Sequence, residues 1–272
     1  MDLLLPRRLD KFLADARIGS RVHIEALAQA GAIRFNGVVE RTLQRLVDPL
    51  RDAVDVHERR AIIRPPRVYA LLNKPSGVVT TLSDPRGRPC IAACIPPEWH
   101  GRVGVVGRLD KPTTGALLVT DDGDLSHLLT DPAFHVWKRY LLTVRGELSD
   151  ADPRLAELRA GVEIGGKKTR PGRCGVVSGS GRPGRGDARL SDVWLEISEG
   201  RFRQVRRMAN LVKLRLTRLH RVAIGPLGLE GLETGKWRQL IPAEIEALYG
   251  AAGGRNAPSA GAKRALIRRL AA

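Results

Sequence analysis

Aromatic side chains are scarce in this sequence of 272 residues. Phe, Trp and Tyr together make up 4% of the chain, so its cores must be built from Leu, Val, Ile and Ala. The hydrophobic fraction of 43% is large enough to supply such cores, which argues against global disorder. At this length we expect two domains, or one large domain with an appendage.

Long apolar runs are also missing. The N-terminal run Leu3 to Leu5 ends at Pro6 and is too short for the apolar core of a signal peptide. No run approaches the roughly 18 residues that a membrane-spanning helix needs. We therefore expect a cytoplasmic protein that does not associate with a membrane.

Cysteine is rare, and its three positions fit a compartment where thiols stay reduced. Cys90 and Cys94 are four residues apart, a spacing compatible with one face of a helix. A metal site would need two further ligands nearby, and the sequence offers none, since Cys174 lies far along the chain. We expect buried structural thiols, and neither a metal nor another cofactor.

Acidic residues are outnumbered by basic ones. There are 46 Lys and Arg against 29 Asp and Glu, a formal net charge of +17. Such an excess favours a polyanionic partner, because Lys and Arg release condensed counterions when they contact phosphates. RNA, DNA and an anionic membrane surface would all satisfy it, and a basic protein without such a partner is the alternative.

The N-terminal segment has the pattern of two helices followed by a hairpin. The spacing of Leu9 and Leu13 predicts the first helix, and Ser20 is a candidate N-cap of the second. The dipeptide Asn36-Gly37 between short apolar runs predicts a tight β-hairpin. The segment therefore predicts a small helix-helix-hairpin module.

This order of elements, with R-L-D-K-F-L at residues 8–13 and R-F-N-G at 34–37, resembles an S4 RNA-binding domain. The resemblance implies a basic surface that contacts RNA phosphates. The candidates for that surface are Arg7, Arg8, Lys11, Arg17, Arg21 and Arg34. The alternative is an ordinary solvated helix face, which is what most charge runs form.

Short β runs follow a Pro-Pro pair at residues 65 and 66, which predicts a stiff linker. Asp152 and Pro153 predict the start of a helix that ends near Gly161. Many strands with few helices favour an α+β domain around a mixed, largely antiparallel sheet. Candidate strands span residues 68–73, 78–81, 103–106, 116–120, 140–144 and 193–197.

The expected organisation has four parts. The Gly/Arg-rich residues 179–186 are expected to form a mobile loop between two strands, and the C-terminal tail, rich in Ala, Gly and basic residues, to be disordered or weakly helical. The parts are an S4-like domain at residues 1–61, a linker at 62–67, a larger domain at 68–250 and a basic tail at 251–272.

The most specific motif is G-R-L-D-K-P-T-T-G-A-L-L-V-T-D-D-G at residues 107–123. Within it, Asp110 follows a predicted strand in a loop bounded by Gly107 and Gly115, so its side chain would lie at the rim of a sheet. Taken alone, a loop Asp is usually a turn or cap residue. The whole stretch, however, resembles the G-R-L-D-x-x-T-x-G-L-L-L-x-T-x-D-G motif of RNA pseudouridine synthases.

Other segments extend this resemblance to roughly residues 7–249, counting the S4 module. One of these segments, residues 199–208, begins with Glu-Gly and is called the E-G segment. Together with the S4 module, its form favours the RsuA/RluB type over the RluA branch. The E-G segment departs from many relatives by carrying Phe202-Arg203 where they have an aromatic-His pair. The segments are L-L-N-K-P-S-G-V-V at 71–79, K-R-Y at 138–140, E-G-R-F-R-Q-V-R-R-M at 199–208, L-H-R-V-A-I-G-P-L at 219–227 and G-K-W-R-Q-L at 235–240.

The resemblance implies that the larger domain is catalytic and isomerises uridine in ribosomal RNA. The reaction needs an ionised carboxylate, which Asp110 would supply as a nucleophile or as a base. Arg206 would supply the cation that keeps this carboxylate ionised, and Tyr140 would stack on the flipped-out base. The remaining RNA contacts implied are Arg108, Lys138, Arg203 and Arg207.

Two alternatives stay open. Tyr140 could be a core residue of an ordinary β-strand, and the whole chain could be a non-catalytic RNA-binding or ribosome-assembly factor.

The basic tail favours large-subunit over small-subunit RNA as substrate, and a monomer is the default. Val205, Met208 and Ala209 predict an apolar helix face that leaves the neighbouring arginines off the core.

Removal of residues 7–57 tests the predicted RNA-binding module. Because phosphate contacts set the slope of affinity against salt concentration, we expect weaker RNA binding and a flatter slope. The measurement is a titration of labelled ribosomal RNA with the full and the shortened chain at several salt concentrations. An unchanged slope would show that this segment does not hold the RNA.

Overall fold

The computed structural model describes residues 5–16, 18–63, 66–177, 182–183 and 189–255, with backbone only at 182–183. The chain forms two compact units, residues 1–67 and 68–272. The division falls at the end of the predicted linker at 62–67. Ile63, inside that predicted linker, packs partly buried against the core of the first unit, so the first part of the segment belongs to the module.

The first unit has the predicted order of two helices and a hairpin. Ser20 caps the second helix by accepting a hydrogen bond from the backbone N–H of His23 (3.3 Å), which confirms its predicted role. Asn36 and Gly37 both have positive φ (49° and 85°), as a two-residue hairpin turn requires. The elements are β1 (Arg7–Arg8), α1 (Leu9–Asp15), α2 (Arg21–Gln29), β2 (Ile33–Phe35), β3 (Val38–Val39), β4 (Leu46–Val47), β5 (Val54–Val56) and β6 (Arg59–Arg60).

A sheet of ten strands dominates the second unit, with helices on both faces, and this confirms the α+β class. Its main path runs β11-β13-β10-β14-β9-β7-β16, while β8, β12 and β15 pair at its sides. The elements are β7 (Tyr69–Lys74), β8 (Gly104–Val106), β9 (Thr114–Thr120), α3 (Gly123–Thr130), β10 (Lys138–Arg145), α4 (Pro153–Ala160), β11 (Arg173–Val176), β12 (Arg182–Pro183), β13 (Arg189–Ile197), α5 (Gln204–Leu211), β14 (Leu216–Ile224), β15 (Leu227–Gly228), β16 (Trp237–Gln239) and α6 (Pro242–Ala251).

Both faces of the sheet are buried. On β9, Leu117 and Val119 enter one hydrophobic core, which α4 and α5 cover, and Ala116 and Leu118 enter a second core under α3 and α6. Alternate residues of a strand point to opposite faces, so a central strand covered on both sides is apolar throughout. This explains why the motif reads A-L-L-V after its loop.

The two ends of the second unit meet at one carboxylate. Asp122, fully buried, caps α3 and accepts hydrogen bonds from the hydroxyls of Tyr69 and Tyr249, each at 2.6 Å. Burial and the neighbouring Asp122 carboxylate raise the pKa of the Tyr249 phenol well above its usual range. The first strand and the last helix are therefore fixed to the same residue.

Several expectations need correction. Residues 78–81 form no strand: Val79 makes only an isolated bridge to Cys90. Cys90 precedes a 3₁₀ turn and Cys94 ends it, and both are half-buried because that turn lies at the domain surface. Cys174 is buried as expected. The helix at Pro153–Ala160 has the predicted Asp152 cap.

The predicted start of the disordered tail, at residue 251, is too early in the chain. Ala252 is buried, and the Arg255 guanidinium lies 4.1 Å from the Tyr249 ring centroid and pairs with Glu246. These contacts hold residues 251–255 on the second unit. The rest of the tail, 256–272, lies outside the described residues. Of the loop predicted at 179–186, only 182–183 are described, and they pair with β13.

Strands β9 and β14 pair in parallel, within an otherwise antiparallel set of described strands, through Gly115 and Arg221. Gly115 has φ +111°, and a Cβ added there would lie 2.2 Å from the Arg221 carbonyl oxygen. A side chain at this position therefore cannot fit without moving β14.

The substitution Gly115→Ala tests this close approach. We expect the free energy of unfolding to fall by about 2–3 kcal/mol, because overpacking adds to an unfavourable φ. Gly123→Ala is the matched control, since an added Cβ there meets open space and should change stability by about 0.5 kcal/mol at most. Denaturant titration compares the two variants, and equal stabilities would contradict the packing argument.

Candidate active site

A cavity of about 520 Å³ lies within the second unit, between the loop that precedes β9, the strands β10 and β14, and the segment that leads into α5. Its wall contains the three residues predicted as catalytic, Asp110, Tyr140 and Arg206. They come from separate parts of the sequence: the loop before β9, the strand β10 and the helix α5. The fold thus brings the predicted set into one place.

Asp110 faces two guanidinium groups. Its Oδ2 atom lies 3.4 Å from Nε of Arg206 and 3.8 Å from Nε of Arg203. Arg206 is further held by a hydrogen bond from Nη2 to the Thr113 hydroxyl at 2.9 Å. Burial lowers the pKa of the Arg206 guanidinium, while the adjacent Asp110 raises it. The two guanidinium groups thus hold the Asp110 side chain from one side of the cavity.

The local fold of α5 aims both arginines at the loop. Val205, Met208 and Ala209 are buried, which confirms the predicted apolar face. Arg203, the N-cap, has the left-handed conformation (φ 51°), which is unusual for a residue other than Gly. Arg203 was predicted as an RNA contact, and the structure places it beside Asp110. Arg207 is exposed on the outer face of the helix.

Lys74 organises the loop that carries Asp110. Its side chain is fully buried, and its ammonium donates hydrogen bonds to the carbonyl oxygens of Pro75 (3.0 Å), Asp110 (3.4 Å), Lys111 (3.3 Å) and Thr113 (2.9 Å). Burial lowers the pKa of Lys74 to about 8, so the group remains mostly protonated at neutral pH. Three of these carbonyls belong to the Asp110 loop, which the lysine therefore holds in one conformation.

Sequence reasoning quoted Lys74 within a motif but gave it no role. A signal was available, because a lysine at the end of an apolar strand must either reach solvent or find buried acceptors. Its position before Pro75 marks the point where the chain turns away from the sheet.

Tyr140 and Lys138 occupy one face of β10. Tyr140 is 9% exposed and belongs to the hydrophobic core, and it also lines the cavity. Lys138 lines the same cavity and is half-buried; burial and the nearby Arg221 lower its pKa to about 8. Arg108 is exposed at the mouth. Lys138 therefore lies deeper than a surface phosphate contact.

The E-G segment is fixed by buried polar contacts. The Gln204 amide donates to the Glu199 carboxylate (2.8 Å), and its oxygen accepts the backbone N–H of Arg201 (2.9 Å). These bonds set the turn that precedes α5. At its tip, the Phe202 side chain is 79% exposed and lines the cavity mouth.

Several predicted RNA contacts of the first unit have acidic partners. Arg7, with its side chain 10% exposed, pairs with Asp15 at 2.5 Å, which argues for a structural role. The other members of the set are Arg8, paired with Asp10; Arg21, paired with Glu25; Lys11 and Arg34, both exposed; and Arg17, which lies outside the described residues.

No cluster of three or more His, Cys, Asp or Glu side chains that could hold a metal occurs in the described part of the chain. None of the described helices has both the length and the apolarity to cross a membrane.

The chain matches the family model described as RNA pseudouridylate synthase over residues 68–211, and that of the S4 domain over residues 7–49. The first match spans more than half of the chain and includes Asp110, Tyr140 and Arg206. The chain therefore belongs to the RNA pseudouridylate synthase family, whose members are isomerases that convert uridine to pseudouridine.

Relatives of similar length support this assignment. YtzG of Bacillus subtilis, described as an RNA pseudouridine synthase, is 33% identical over 89% of this chain and 98% of its own. Ribosomal large subunit pseudouridine synthase B of the same organism is 33% identical (92% and 99%), and that of Shigella flexneri is 35% identical (90% and 83%). A crystal structure of a pseudouridylate synthase aligns with a TM-score of 0.56 and 30% sequence identity, and the alignment covers 89% of this chain and 99% of that chain. The predicted family, S4 domain and enzyme class are confirmed.

The substitution Lys74→Met tests the anchoring of the loop. We expect the free energy of unfolding to fall by about 2–4 kcal/mol, since buried carbonyls lose their donor. We also expect kcat to fall about 10²-fold with little change in RNA affinity, because the carboxylate is no longer held in place. Lys236→Met, at an exposed lysine of the same unit, is the control. Unchanged kcat in a folded Lys74→Met protein would contradict the positioning role.

Proposed function

We propose that this protein isomerises one or a few uridines of large-subunit ribosomal RNA, with Asp110 as the catalytic carboxylate. The observation that carries the proposal is the placement of Asp110 at a cavity wall between Arg203 and Arg206. The Asp110 side chain is partly shielded from water, at 29% exposure.

The chemistry needs a carboxylate at this position. The N1–C1′ bond of uridine breaks, and the electron pair of that bond leaves with the uracil. The Asp110 carboxylate either bonds to C1′ as a nucleophile or accepts the proton lost from C2′ as a base. The uracil then turns and C5 bonds to C1′. In the nucleophilic route this breaks the bond between C1′ and Asp110, and in the base route Asp110 returns the proton to C2′. The C5 proton is then lost and N1 gains a proton. Product and substrate are isomers, so the balance requires no cofactor or metal.

The target nucleotide must leave its stack to reach Asp110. The cavity, at about 520 Å³, is large enough for a nucleoside. Tyr140, at its wall, offers an aromatic surface for the uracil, and Phe202, exposed at its mouth, offers a second for a neighbouring base. Arg108 at the mouth and Arg207 on the outer face of α5 are exposed, and we assign both to phosphate contacts.

The choice of ribosomal RNA rests on three further points. The net charge of +17 suits a polyanion, the S4 domain supplies a separate RNA-binding unit, and two relatives are named as large-subunit synthases. The first-unit residues we assign to phosphates are the exposed Lys11 and Arg34, together with Arg8 and Arg21, whose side chains remain largely exposed beside their acidic partners. Ribosomal RNA as substrate implies a cytoplasmic protein, and because one chain supplies the whole site we propose a monomer.

Mapping of pseudouridine by chemical modification and primer extension tests the proposal. Unmodified small-subunit and large-subunit RNA transcripts are each incubated with the wild type and with Asp110→Asn. We expect a new stop in the large-subunit RNA that is absent with the variant, while RNA binding is retained, because the substitution removes the carboxylate charge and little volume.

Asp124→Asn, at an exposed carboxylate in the first turn of α3, is the matched control and should retain activity. A stop only in the small-subunit RNA would correct the substrate. Normal turnover by Asp110→Asn would refute the role of Asp110, and tight binding of both RNAs without any stop would favour a non-catalytic RNA-binding factor.

A further inference from the structure

Arg221 is a buried cation at the floor of the cavity, and the proposed mechanism gives it no role. The residue is 4% exposed, and its Nε donates to the Ala116 carbonyl oxygen at 2.7 Å. Its Nη2 atom is buried and has no hydrogen-bond partner in the described residues. An unpaired buried donor is costly, so a donor retained in this position indicates a ligand.

The backbone of Arg221 is fixed as firmly as its side chain. It pairs with Gly115 of β9 on one side and with Tyr140 of β10 on the other. The Nε bond to Ala116 then fixes the direction of the guanidinium. Donors held in this way need no reorganisation when charge develops in front of them.

Lys138 adds a second cation beside the first. It lies two residues from Tyr140 on the same face of β10 and lines the same cavity. Because Tyr140 is the register partner of Arg221 across β10 and β14, the strand pairing brings Lys138 and Arg221 close together. Burial and the charge of Arg221 both lower the pKa of Lys138. Within the described residues neither cation pairs with a carboxylate: Glu199, also on the cavity wall, is bound by Gln204 and Arg201.

We propose that Arg221 and Lys138 bind the carbonyl oxygens of the target uracil and stabilise the negative charge that the base acquires when the N1–C1′ bond breaks. The electron pair of that bond passes to the uracil and is shared between N1, O2 and O4. At the sugar, Asp110 either bonds to C1′ or accepts the C2′ proton, as in the proposed function. The charge disappears when C5 bonds to C1′ and N1 gains a proton. This inference rests on the proposed function.

The depth of the two cations favours the base over a phosphate. Phosphates remain joined to the RNA chain and lie at the mouth, where Arg108 is exposed and the Arg203 side chain is 52% exposed. The base is the part of a flipped nucleotide that enters furthest. Arg221, beside Tyr140, lies where the stacked uracil would present its edge.

The test compares uridine with 5-fluorouridine at the target position of the same RNA. 5-Fluorouracil is the more acidic base and leaves more readily as an anion, so it needs less stabilisation. For Arg221→Gln we expect the single-turnover rate of glycosidic cleavage to fall about 10²–10³-fold with uridine, with little change in RNA affinity. With 5-fluorouridine the same variant should lose about tenfold less than with uridine.

Two further variants keep the test decisive. Lys138→Met removes the second cation without removing a hydrogen bond within the described part of the protein. It should show the same dependence on the base, and it serves as the test if Arg221→Gln does not fold. Arg218→Gln, at an exposed arginine of the same strand, is the control and should react like the wild type with both bases.

Three outcomes would overturn the inference. Wild-type rates for both cavity variants would show that the cations are not used. Equal losses with both bases, with weaker binding and a salt slope reduced by about one, would assign them to a phosphate. Absence of pseudouridine with the wild type itself would instead refute the proposed function and the inference with it, whereas an active wild type with insensitive variants refutes the inference alone.

Discussion

The buried ammonium of Lys74 is the contact on which the rest of the site depends. A loop that must present a carboxylate at a cavity has carbonyl oxygens that no strand can satisfy, and one cation satisfies several of them at once. With the loop fixed, Thr113 can hold Arg206, and Arg206 can hold Asp110. The active carboxylate is thus the last member of a chain of contacts that begins in the hydrophobic core.

The electrostatics of the cavity follow from this arrangement. Asp110 is the acidic group beside Arg203 and Arg206, while the floor carries Lys138 and Arg221. A cavity with such an excess of positive charge favours a ligand that is anionic or becomes so during reaction. Two ends of the target nucleotide can then be distinguished by charge alone: the sugar faces the carboxylate, and the base faces the cations.

The extent to which sequence predicted this structure varied with the range of the interactions. Ser20, Asp152 and the Asn36-Gly37 turn act within a few residues, and their predicted roles are confirmed. Val78–Thr81 has strand composition but only a bridge to Cys90, because a strand needs a neighbouring edge that the local sequence does not specify. The position of Lys74 at the end of an apolar strand could indicate a need for buried acceptors, but the acceptors of Lys74 and Arg221 are carbonyls far along the chain that the local sequence does not identify. For Arg7, the composition suggested RNA, whereas its partner Asp15 is visible only in three dimensions.

The order of the strands also has a consequence for synthesis. The main path of the catalytic sheet ends with β16 beside β7, and α6 closes on Tyr69 through the shared Asp122. β7 is the first strand of this unit to leave the ribosome, and one of its edges stays unpaired until β16 has been synthesised. Pairing across such sequence distances is slow, and open strand edges invite association with other chains. The sheet and the contacts around Asp122 can therefore be complete only after translation has passed Tyr249.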